Sequence, residues 1–154
     1  MKHMKTLSII TLVFGILFGA ASAHAGGKGW LKNYDNALAK AKKEGKYVLV
    51  EFHGSDWCPP CIQLNKEVLS TAEFKAIADA ALVLVEADFP RKKEMTDKQK
   101  AHNNALAKKF GIEGFPTVII LNGDGKVLDK MVGFPRGGKD GFLKFITNQT
   151  SSGS

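Results

Sequence analysis

Apolar residues recur along the chain in two patterns, at helical spacing in some stretches and in short unbroken runs in others. Trp30, Leu31, Tyr34, Leu38 and Ala41 fall at helical spacing and Gly45 closes the stretch, which predicts a first helix. Tyr47 to Phe52 is a nearly continuous apolar run, the pattern of a strand covered on both faces. Ile62, Leu64, Val68 and Leu69 predict a second helix, and Ser70 with Glu73 reads as a capping box opening another helical piece through Ala80. Leu82 to Ala87 reads as a second buried strand. After the polar stretch 88–103, Asn104 to Phe110 reads as the end of a helix that starts near Thr96.

Asn122-Gly123-Asp124-Gly125 is a strong turn signal between Thr117–Leu121 and Lys126–Val132, predicting a hairpin. Phe142, Phe145 and Ile146 predict a last amphipathic helix, with Thr147 to Ser154 as a frayed polar tail. Helix, strand, helix, strand, helix, hairpin and helix make one α/β layered domain with a central mixed β-sheet and helices on both faces. No internal repeat interrupts that order.

The N-terminal stretch departs from this pattern. Lys2 and Lys5 precede an apolar run from Leu7 to Phe18, and Ala23-His24-Ala25 supplies the small residues a signal peptidase reads. The expectation is a signal peptide over 1–25, cleaved after Ala25, and a domain over 26–154 in the periplasm or secreted. The apolar run is short for a membrane span, and no second run follows, so no stable span is expected after cleavage. The leader carries two lysines and no acid, so its removal lowers the formal net charge from +7 to +5. Basic residues are scattered except for Arg91-Lys92-Lys93 and are not interleaved with aromatics, which gives no nucleic-acid signature.

Two cysteines, Cys58 and Cys61, are the chain's whole complement. A disulfide closing so short a loop removes little unfolded-state entropy, so stabilisation is a poor reason for it. A zinc site would need two further ligands, and the mature chain offers His53 and His102 with no second Cys pair. Redox chemistry fits better. Trp57-Cys58-Pro59-Pro60-Cys61 falls where a buried strand hands over to a helix, and unpaired N–H groups at a helix start stabilise a thiolate. Pro59 and Pro60 contribute no N–H, which predicts an exposed Cys58 thiol of lowered but not extreme pKa, suited to a reductase. Dithiol exchange requires no metal, flavin or nucleotide, and no Gly-rich phosphate loop appears in the sequence.

Val50-Glu51-Phe52 through Trp57-Cys58-Pro59-Pro60-Cys61, then Gly111-Ile112-Glu113-Gly114-Phe115-Pro116-Thr117 and Gly133, resembles the thioredoxin superfamily in order and approximate spacing over Trp30 to Ile146. The stretch His53 to Cys58 is most similar to the small exported thioredoxin-like proteins of bacteria. The resemblance implies a thioredoxin fold and thiol–disulfide exchange on disulfide-bearing protein substrates, with recharging by a thiol donor, a membrane reductant if the compartment is periplasmic. It implies a cis peptide at Pro116 beside the disulfide and a substrate strand pairing with the Phe115 backbone. Trp57 would then shield the disulfide. The family's buried proton-relaying acid falls nearest Glu51, with one extra residue before the motif, and the lysine that partners that acid is replaced by Leu84. His53 beside the motif reads first as packed or solvent-facing, with tuning of Cys58 or Cys61 as the alternative, and Asp56 as a loop acid. Phe89 to Asn103 is an insertion, read by default as a solvated face, with a partner-docking surface as the alternative. The alternative function is a non-catalytic thioredoxin-fold binding or chaperone module.

Overall fold

The computed structural model describes residues 29–151. The signal peptide expected over 1–25 with its cleavage site, Gly26 to Lys28 and the last three residues lie outside the described residues.

Five strands form one sheet in the order β1-β3-β2-β4-β5. β1 (Trp30–Leu31), β2 (Tyr47–His53) and β3 (Leu82–Asp88) run parallel; β4 (Thr117–Leu121) and β5 (Val127–Val132) add antiparallel. The apolar run of β2 makes it the central strand. Strand alternation sends Val48, Val50 and Phe52 to one face, where they meet Tyr34, Ala37 and Ala41 of α1 (Tyr34–Glu44) and Leu106 of α4 (Asp97–Phe110). Leu49 faces the other way, among Leu64 of α2 (Pro59–Leu64), Phe74 of α3 (Ala72–Ala81), and Phe142 and Ile146 of α5 (Gly138–Thr150). A π-helical turn, Asn65–Leu69, continues α2 and adds Val68 and Leu69 to that cluster. Each fully buried Leu, Ile, Val or Phe here contributes roughly 1.5–3 kcal/mol relative to exposure.

Three local expectations are corrected. Trp30 and Leu31 are strand, not helix, because β3 has an open edge on which they pair opposite Leu84 and Val85. The helix begins at Tyr34, capped by Asn33, whose side chain accepts the Asn36 N–H at 2.8 Å. The cap of α3 is Thr71, not Ser70: Thr71 Oγ1 accepts the Phe74 N–H at 3.3 Å, while the Ser70 hydroxyl turns to Asn65 at 3.2 Å. Glu73 pairs with Lys139 rather than closing a capping box. The tail is helical through Thr150, since Ile146 is buried and Gln149 bonds Asp129 of β5 at 3.1 Å. The Asn122 turn closes as expected, its side chain accepting the N–H groups of Asp124 and Lys126 at 3.1 and 2.9 Å. No helix among the described residues is long and apolar enough to cross a membrane.

Candidate active site

β2 ends at His53, and the chain turns at once. The Cys58 N–H donates to Gly54 O at 3.0 Å, and Cys58, in extended conformation, becomes the N-cap of α2. Its carbonyl accepts the N–H groups of Cys61 and Ile62 at 3.1 and 3.0 Å, while Pro59 and Pro60, which have none to give, fill the first helical positions. Cys58 and Cys61 are joined in a disulfide with Cα atoms 5.3 Å apart. Cys61 is 1% exposed and Cys58 only 3%, a correction to the expectation of an exposed sulfur. Cys58 is drawn inward at both ends, by the Gly54 hydrogen bond and by its bond to a cysteine in the layer beneath.

The second wall comes from β4. Register places Thr117 opposite Phe52, so the residues before Thr117 arrive at the same end of the sheet as the disulfide loop. The Phe115–Pro116 peptide is cis. Its turn is fixed by Thr117 Oγ1 donating to Gly114 O at 2.7 Å and by the Gly133 N–H donating to Pro116 O at 2.8 Å. The Phe115 ring lies edge-on to Trp57 at 5.9 Å and against Phe89 at 5.1 Å. Trp57 is itself fixed, its indole N–H donating to Phe89 O at 2.7 Å. Gly54 leaves the space for it: a Cβ there would come within 2.4 Å of the indole.

Phe89 to Met95 is therefore a third wall rather than a detached solvated run. The Asp56 carboxylate accepts three consecutive backbone N–H groups, from Arg91, Lys92 and Lys93, at 3.0, 2.8 and 3.0 Å. Those bonds, the Arg91 one foremost, hold its carboxyl below the usual carboxylate range. Asp56 is thus the anchor of a segment, more than a loop acid. The Arg91 guanidinium lies 3.7 Å over the Trp57 ring, and Asp88 accepts both the N–H and hydroxyl of Ser55, at 2.9 and 2.6 Å.

Beneath the disulfide loop, Glu51 and His53 share the α2 face of β2. Glu51 is 2% exposed on the central strand, which excludes the solvent-facing edge position that a strand glutamate more often takes. Burial, reinforced by Glu86 and Asp88, pushes its pKa up to about 8. The parallel register sets Glu86 beside Glu51 and Asp88 beside His53. His53 stands between the acids, Nδ1 3.5 Å from Glu51 and Nε2 3.7 Å from Asp88. Burial lowers its pKa, with Asp88 pulling it up and Lys93 pushing it down. Glu51 Oε1 and His53 Nε2 are buried with no hydrogen-bond partner among the described residues. A cavity of about 530 Å³ reaches this group and is lined by His53, Cys61, Glu86, Asp88, Lys32 and Lys93, among others. Lys32 pairs with Glu86 at 3.8 Å. Leu84 is half-buried in the apolar cluster and brings no cation to Glu51. His102, the other imidazole available to a metal, sits apart on α4 with Nε2 3.4 Å from the Tyr34 backbone N.

Sequence patterns singled out Cys58, Cys61, Glu51, Trp57, Phe115 and Pro116, and the structure gathers all six at one end of the sheet. Ser55, Glu86, Asp88, Phe89 and Arg91 were missed. The acids at alternate positions of β3, Glu86 and Asp88, were a usable signal, matching Glu51 and His53 two by two.

A Cys-Pro-Pro-Cys disulfide loop at a helix start, faced by a cis-proline turn on a mixed sheet, defines a thiol–disulfide oxidoreductase of the thioredoxin superfamily. The thioredoxin-like domain family matches residues 34–146, and the chain belongs to that family. It is 36% identical over 115 residues to the disulfide bond reductase DsbH of Chlamydia pneumoniae, covering 75% of this chain and 69% of that protein. Against the thioredoxin-related protein DsbJ of the same organism, identity is 32% over 124 residues, 79% of this chain but only 36% of DsbJ. A solved structure of a DsbH oxidoreductase superposes with a TM-score of 0.72 at 30% identity, covering 94% of this chain and 95% of that one.

Proposed function

We propose that this chain reduces protein disulfides in the periplasm, with Cys58 as nucleophile and Cys61 as resolving thiol. The observation that carries the reading is the Cys58–Cys61 disulfide at the first turn of α2, walled by Trp57 and the Phe115–Pro116 turn. In the dithiol form, the Cys58 thiolate attacks one sulfur of a substrate disulfide. That S–S bond breaks, one substrate sulfur leaves as thiolate, and the other stays bonded to Cys58. Cys61 then gives up its proton and attacks the Cys58 sulfur, expelling the second substrate thiolate. The chain ends as the disulfide and the substrate has gained two electrons. A thiol donor, for a periplasmic protein a membrane reductant, returns them.

Glu51 is the proton acceptor for Cys61, its raised pKa matching a base that works near neutral pH. His53 links it to Asp88 and to the cavity that Cys61 also lines, giving the proton a way out to solvent. This takes the place of the lysine partner that Leu84 cannot supply. Phe115 and Pro116, with Trp57, form the platform along which a substrate strand lies. Pro59 and Pro60 withhold two N–H groups from Cys58, and this, with the reductase name of the DsbH relative, supports reduction as the direction. The leader read at 1–25 supports export.

The test is insulin reduction with dithiothreitol as donor. Wild type is expected to accelerate B-chain precipitation well above the dithiothreitol background, and Cys58→Ser to return it to background. A wild type no faster than background would leave a binding or chaperone module as the better reading.

A further inference from the structure

We propose that the disulfides this protein reduces fastest are those flanked by acidic residues, recruited by Arg91, Lys92 and Lys93 on the wall beside the disulfide. The inference rests on the reductase reading above and narrows its substrate class.

Three observations converge on it. First, the basic run is held in place: three consecutive backbone N–H groups are tied to Asp56, two residues before Cys58, and Phe89 O is tied to Trp57. The charges are thus presented by a fixed segment, not by a loose tail. Second, they stand at the site. The Arg91 guanidinium covers the Trp57 ring, Lys93 Nζ reaches Ser55 Oγ at 3.3 Å, and Lys93 lines the same cavity as Cys61. All three side chains are exposed. Third, the acids behind the run are recessed while its cations are exposed. Asp56, Glu86 and Asp88 are only partly exposed, and Glu86 is paired with Lys32, whereas Arg91, Lys92 and Lys93 project into solvent. Glu94 in the segment and Glu113 ahead of the cis-proline turn are exposed acids at this end, and Lys66 lines the cavity with Glu94. An exposed cationic run beside the reacting disulfide raises the local concentration of anionic partners and repels cationic ones. The partner this fits is a peptide segment carrying Asp or Glu beside its cystine.

The test uses three peptide disulfides of equal length whose cysteines are flanked by Asp, Asn or Lys. Each is reduced by the full protein with excess dithiothreitol, and each kcat/KM is divided by the rate with dithiothreitol alone, which removes differences in intrinsic reactivity. At low salt the Asp peptide is expected to exceed the Lys peptide by about tenfold or more, with Asn between. The ratio should collapse toward one at 1 M salt, where the screening length falls to about 3 Å. In the triple variant Arg91→Glu, Lys92→Glu, Lys93→Glu the order should reverse. The wild-type ratio and its salt dependence decide the matter even if that variant folds poorly. Equal corrected rates for the three peptides at low salt would overturn the inference and leave the reductase reading standing. Failure to reduce any of them would overturn both.

Discussion

Glu51 is the residue in which sequence, packing and chemistry are most tightly joined. An acid within an apolar run is tolerated on a central strand only if it is neutral or compensated, and here it is held neutral by burial and by the two acids of β3. Its pKa of about 8, against an ordinary 4.5, has a definite consequence for stability. Between those pH values the folded chain keeps a proton that the unfolded chain has lost. Glu51 therefore favours folding less and less as pH rises through that window, and the loss levels off above about 8. Glu51→Gln keeps the shape and removes the titration. Urea unfolding of the oxidised proteins should show the variant gaining on wild type from pH 5 to pH 8.5, by on the order of a few kcal/mol. A gap that stays flat with pH would mean that Glu51 ionises normally. In turnover the same variant should be slower at neutral pH by about tenfold or more, since the Cys61 proton loses its acceptor. The candidate role of Glu51 was legible from the strand pattern and the resemblance. The link from His53 to Asp88 was not, because Asp88 is distant in sequence and meets it only through the parallel register of β2 and β3.

At the scale of elements, the segment after β3 was the hardest to read. Arg91-Lys92-Lys93 looks like any solvated charge run, and nothing local shows that its amides point at one carboxylate. That carboxylate, Asp56, lies in the loop after the neighbouring strand, and the pairing exists because β2 and β3 end side by side, with His53 opposite Asp88. Asp56→Ala should free the segment. Amide hydrogen exchange is expected to speed up at residues 91–93, with β2 and β4 protection unchanged. Unaltered exchange at those three amides would show that Asp56 is not what anchors the wall. The regular elements were easier. Buried runs gave β2 and β3, and the Asn122 turn gave the β4–β5 hairpin, because in each the signal is local. Trp30–Leu31 was misread for the opposite reason: apolar residues at helical spacing became strand once an open edge of β3 was there to pair with.

For the whole molecule, the decisive fact is that two stretches more than fifty residues apart in sequence meet at one end of the sheet. β2 delivers the disulfide loop, β4 delivers the cis-proline turn, and their antiparallel register fixes the meeting. Layer order and sheet type were readable from the succession of apolar patterns, whereas the near-complete burial of Cys58 needed the packed structure. Everything functional depends on which sulfur reacts first. The most direct measurement is mass mapping of the adduct formed when reduced single-cysteine variants meet a peptide disulfide. Cys61→Ser should yield a mixed disulfide at Cys58 rapidly and in full, while Cys58→Ser should react at Cys61 far more slowly. Equal rates in the two variants, or no adduct at Cys58, would contradict the assignment of Cys58 as the nucleophile.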